Sequence, residues 1–140
     1  MSTVLRMARF DSGRLVPADV WLRKLITDAM AESSEISSVV IGDHQGLPIA
    51  GVVRGSVPVM TVTAMATMAA HSAEEAAAEL DLDRPTQMVV ETSRGDLVMI
   101  PLREWNAYLI ALVSPMSSGT PTADVLERLS SAVSDALANI

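Results

Sequence analysis

Nineteen consecutive residues, Gly55–Ala73 (GSVPVMTVTAMATMAAHSA), carry no formal charge in a chain of 140. Alanine and methionine favour helix, but the polar residues here are threonines, serines and one histidine in place of the usual Lys and Glu. A helix without a solvated face is normally covered on both sides, so whatever covers this one constrains the fold. A bilayer is a poor cover, because Ser56, Pro58, three threonines and His71 weaken the span. The patterns flanking it are those of a globular domain, and no membrane insertion is expected.

On a helical wheel of about 100° per residue, Val62, Met65, Ala66, Ala69, Ala73, Ala76 and Leu80 gather on one face, expected to lie on the protein's own sheet. The opposite face carries Met60, Thr63, Ala64, Thr67, Met68 and His71, followed by Glu74, Glu75 and Glu79. A monomer would present the first half of that face to water, and exposed apolar patches mark contact sites. Ala64 and Thr67 are small enough for a second helix to approach, and Met60 and Met68 are adaptable. The economical cover is a second copy across a two-fold axis; the alternative is a weakly solvated surface helix on a monomer.

The rest of the chain reads as regular elements around this helix. Pro17–Ser33 is a first helix, with proline in its first turn and an apolar face of Leu22, Leu25, Ile26, Ala29 and Met30. ISSVVIG (Ile36–Gly42) and LPIAGVV (Leu47–Val53) read as strands joined by the turn DHQG (Asp43–Gly46). Pro48 cannot donate to a ladder, which places the second strand at an edge. Ser56 is expected to cap the uncharged helix, which runs to about Leu80 before DLDRP (Asp81–Pro85). Three strands follow, Thr86–Thr92, Asp96–Leu102 and Asn106–Val113, on connections short enough to require antiparallel hairpins. The last is apolar on both faces, hence central. A loop then leads to a third helix capped by Thr120, with a buried stripe of Leu126, Leu129, Val133, Ala136 and Leu137.

The order is therefore α-β-β-α-β-β-β-α, a single α+β domain over 17–140 preceded by a mobile arm over 1–16. Residues 1–25 carry five basic side chains (Arg6, Arg9, Arg14, Arg23, Lys24) against Asp11 and Asp19, whereas the whole chain has net charge −7. So acidic a body repels phosphate backbones and argues against nucleic acid as a partner. The chain has no cysteine, which excludes disulfides and zinc–thiolate sites and suits a reducing cytoplasm. Arg6, Arg9 and Asp11 interrupt any signal-peptide-like run.

Catalytic constellations are missing from the sequence. His44 falls in a turn, and His71 has no acid partner at helical spacing before Glu74 and Glu75. Neither offers metal-ligand spacing. GVVRGS (Gly51–Ser56) lacks the Lys-Ser/Thr ending of a phosphate-binding loop. Trp21 and Trp105 read as packing residues. No catalytic, metal or cofactor site is expected, and a chain of this kind acts by contact.

The element order, the hairpin DHQGLPIA (Asp43–Ala50), the Ala- and Met-rich middle helix and GDLVMIPLREWNAYLIALV (Gly95–Val113) resemble the roadblock proteins over roughly residues 18–138. The resemblance implies a five-stranded antiparallel sheet between helices, in the profilin-like order 2-1-5-4-3 counted along the chain. It also implies a homodimer built from the middle helix and the third of these strands, which adds Met88, Val89 and Val90 to the expected interface. Roadblock proteins of bacteria and archaea are often paired with small Ras-like GTPases. The implied function is a non-catalytic dimeric regulator or scaffold of such a GTPase, with Glu74, Glu75 and Glu79 as an acidic rim for the partner. A small-molecule sensing module and a purely structural subunit are the alternatives.

Overall fold

The computed structural model describes residues 7–9, 15–115 and 120–138. Its elements in chain order are β1 (Met7–Arg9), β2 (Leu15–Pro17), α1 (Ala18–Glu32), β3 (Ile36–Asp43), β4 (Pro48–Val53), α2 (Val59–Glu79), β5 (Met88–Thr92), β6 (Gly95–Leu102), β7 (Ala107–Val113) and α3 (Thr120–Leu137). A 3₁₀ turn, Arg103–Trp105, joins β6 to β7. β3 to β7 form an antiparallel sheet in the order β4-β3-β7-β6-β5, which is 2-1-5-4-3 among the five. β1 and β2 pair as a separate two-stranded sheet across the segment 1–16 expected to be an arm, and Pro17 closes β2 where it was expected to open the first helix. The rest of that arm, and the cap expected of the Thr120 side chain, lie outside the described residues.

β7 is central, and its two faces build two cores. Leu109, Ala111 and Val113 face α1 and α3, where Leu22, Ile26, Met30, Leu126, Leu129 and Val133 complete the larger cluster. Tyr108 and Ile110 face the other way and meet Ala66, Ala70 and Met99 beneath α2. The stripes expected on α1 and α3 are the ones buried, although Leu25 is only half-buried. Ser33 and Thr122 tie these two helices. Thr122 donates to Glu35 at 2.7 Å, so its hydroxyl accepts from Ser33 at 2.9 Å. Thr122 is itself buried, and this pairing satisfies it.

The β3–β4 hairpin closes on Asp43, whose Oδ1 accepts from the amides of Gln45 and Leu47 at 2.9 and 3.0 Å. Gly46 takes the left-handed conformation the turn requires (φ 88°). Pro48 begins edge strand β4, opposite Gly42 and next to a register shift, where its missing N–H costs no ladder bond.

At its start α2 departs from the expectation. Its cap residue is Pro58, no side chain caps it, and Ser56 is exposed. The helix instead opens with the Val62 amide on the Pro58 carbonyl at 2.9 Å. Its C-terminus is a Schellman motif. The Leu82 amide bonds the Ala77 carbonyl (2.8 Å), the Asp81 amide bonds that of Ala78 (3.1 Å), and Asp81 is left-handed at φ 57°.

Candidate protein-contact face

The sheet-facing side of α2 is Thr63, Ala66, Thr67 and Ala70. This corrects the wheel reading, which placed Thr63 and Thr67 on the outer face and Met65, Ala69, Ala76 and Leu80 on the inner one. Thr63 is fully buried because its hydroxyl donates to the Val59 carbonyl at 2.7 Å, and Thr67 likewise to the Thr63 carbonyl at 2.8 Å. Back-bonding within the helix leaves each threonine presenting only its methyl to the sheet. The fit is close. A Cβ on Gly42 would lie 2.6 Å from the Thr63 Cγ2, and one on Gly46 3.0 Å from the Ala64 Cα. The two hairpin glycines are therefore what let α2 settle on these residues.

Turning the helix this way sends its bulkiest apolar side chains outward. Met60, Met65 and Met68 are 63%, 66% and 68% exposed, with Ala69 and Ala76 exposed beside them. α2 lies over β3, β4 and β7, leaving the β6–β5 side partly open. There Met88 and Leu97 are half-buried, and Val90 on edge strand β5 is 46% exposed. Val89, on the same edge, belongs to the opposite face of the sheet by alternation.

Of the residues expected at the interface, Met60, Met68, Val89 and Val90 are exposed, Ala64 and Met88 are half-buried, and Thr63 and Thr67 are withdrawn into the protomer. His71 is half-buried, its ring edge-on to Tyr108 with centroids 5.6 Å apart. The expected rim also divides. Glu75 and Glu79 are exposed, but Glu74 is half-buried and accepts the Tyr108 hydroxyl at 2.7 Å. Sequence reasoning missed Met65. The signal available was the Thr63–Thr67 pair, four apart and free to back-bond, with Gly42 in the preceding hairpin to make room for Thr63 and Gly46 for Ala64.

Beyond α2 the chain exposes Leu80 and Leu82. A groove of about 340 Å³ opens there between the helix end and the sheet, lined by Glu74, Leu82, Arg84, Arg103 and Tyr108 among others. Arg103 donates to the Pro85 carbonyl across it. Tyr108 is held well above its ordinary pKa, first by burial, then by the hydrogen bond and negative charge of Glu74, with Arg103 opposing. Among the described residues no group of three or more His, Asp or Glu is arranged to hold a metal ion. No helix among them is long and apolar enough to cross a membrane.

The roadblock/LC7 domain family model matches residues 22–114. A sequence search against curated proteins found no match. Among solved structures the chain is similar to the gliding protein MglB of Thermus thermophilus, with TM-score 0.78 and 13% identity over 99% of this chain and 100% of that one. It is also similar to Myxococcus xanthus MglB (TM-score 0.78, 9% identity, 86% of this chain and 97% of that one). A roadblock/LC7 domain from Streptomyces avermitilis superposes with TM-score 0.74 and 16% identity, covering 82% of this chain and 96% of that one. At these identities the likeness is one of fold.

Proposed function

Because the chain belongs to the roadblock/LC7 domain family, we propose that it acts by contact, as a homodimeric regulator or scaffold of a small Ras-like GTPase. The outer face of α2 carries this reading. Three methionines exposed by 63–68% on one helix, next to an open edge strand, form a surface that a lone protomer leaves unpaired. A two-fold axis there lays α2 on its own copy and β5 alongside its counterpart. A further structure with this fold is described as MglB with a tetrameric arrangement, which supports association between copies.

The GTPase half of the proposal rests on the roadblock resemblance. Glu75 and Glu79 supply an acidic rim that steers a basic surface toward α2. A regulator without catalytic groups acts through different affinities for the two switch conformations. The test is a pull-down from native lysate, then affinity measurement against the recovered GTPase loaded with GDP or a GTP analogue. Unequal affinities are expected. Equal affinities leave a scaffold, and recovery of no GTPase removes the reading.

The groove at the end of α2 favours a second reading, a small-molecule sensor, because Glu74, Arg84, Arg103 and Tyr108 converge on it. A small molecule retained through purification and released on denaturation would support it.

A further inference from the structure

On the sheet face away from α2, α1 and α3 leave one region open. Between α3 and the β5–β6 hairpin lies a groove of about 720 Å³. Val89, Val98 and Ile100 form its floor, and Leu126 stands on its wall. Val89 is 41% exposed within it. Three carboxylates, Glu91, Asp96 and Glu127, line the groove, and among the described residues no lysine or arginine does. Among the described residues, none of the three takes part in an ion pair or a side-chain hydrogen bond. They do not form a metal-holding group.

An apolar floor under uncompensated negative charge selects its occupant. Phosphate and acidic peptides are repelled, a neutral apolar segment leaves the carboxylates unpaired, and a basic segment with apolar anchors satisfies both parts of the lining. We propose that this groove docks a basic, apolar-anchored peptide segment of a partner protein, its anchors on exposed Val89 and half-buried Ile100 above the buried Val98 and Leu126, and its Lys or Arg side chains on Glu91, Asp96 and Glu127. The groove and the outer face of α2 lie on opposite sides of the sheet but share edge strand β5, so charge changes on α2 and in the groove tell the two contacts apart.

The experiment uses the full chain and a short fluorescein-labelled peptide with leucine anchors and arginines in a Gly/Ser background, followed by anisotropy. The expected result is binding that falls by about tenfold or more when the arginines become glutamine, when the leucines become serine, or in the E91K/E127K variant. Glu91 and Glu127 are exposed, so the double variant leaves the fold intact by circular dichroism. The variant E75K/E79K, on α2, keeps full affinity. Amide shifts on peptide addition map to Val89, Val98, Ile100 and Leu126. Absence of binding, equal loss in both charge-reversal variants, or shifts confined to α2 would each overturn the proposal.

Discussion

The hydroxyl of Tyr108 donates a 2.7 Å hydrogen bond to the carboxylate of Glu74, joining the central strand β7 to the last turns of α2. Tyr108 is 5% exposed, so this bond replaces the water its hydroxyl would otherwise have. It also takes one carboxylate out of the acidic end of α2, leaving Glu75 and Glu79 to face solvent.

Tyr108 is the chain's one tyrosine, so tyrosinate absorbance reports it alone. Burial, with Glu74, raises its pKa above the ordinary value of 10.0, and the folded state keeps a proton that the unfolded chain releases. The stability this contributes is complete below about pH 10 and is lost as pH climbs from there toward the folded value. Spectrophotometric titration should therefore show no tyrosinate near pH 10 in the folded protein. Glu74→Gln should bring the onset down, because it removes the negative charge while burial stays and the amide oxygen can still accept the hydroxyl. An unchanged onset would show that the charge of Glu74 contributes nothing.

Gly42→Ala drives a methyl to within 2.6 Å of the Thr63 Cγ2, and α2 must shift off the sheet. The expected cost is roughly 1–3 kcal/mol in urea unfolding. Thr63→Ser keeps the hydroxyl that back-bonds Val59 and deletes the clashing methyl, so the double variant should be more stable than the sum of the two singles predicts. Additive losses would place the contact elsewhere.

Asp81 holds a left-handed conformation at the α2 C-terminus, one that costs a non-glycine residue energy. Asp81→Gly should raise stability by roughly 0.5–1 kcal/mol, and Asp81→Ala should lower it. Calorimetric melting temperatures that move the same way for both would contradict the assignment.

Met65→Glu and Met68→Glu place charge on the outer face of α2 without touching the protomer core. If the proposed dimer forms there, light scattering gives a dimer mass for the unsubstituted chain and a monomer mass for either variant, since a buried unpaired charge costs several kcal/mol. A dimer that survives both substitutions would move the contact off α2.

Where one face of an element is apolar and the other charged, the sequence alone determined its placement. Leu22, Ile26 and Met30 on α1, and Leu126, Leu129 and Val133 on α3, could turn only one way. Pro48 assigned β4 to an edge, and the two apolar faces of Ala107–Val113 assigned β7 to the centre. The uncharged helix was different. Its periodicity was legible but its rotation was not, because no charge over Gly55–Ala73 marks a solvent side, and transfer energy, which favours burying methionine over threonine, points to the rotation the fold does not adopt. Tertiary structure decided it sterically. Gly42 and Gly46 bring the hairpin backbone close to α2, a gap that a threonine methyl or an alanine fills and a methionine cannot. The threonine hydroxyls could enter because their hydrogen bonds were met within the helix itself. The groove beside α3 was equally out of reach from sequence, since Val89, Ile100 and Leu126 meet only when the β5–β6 hairpin folds beside α3.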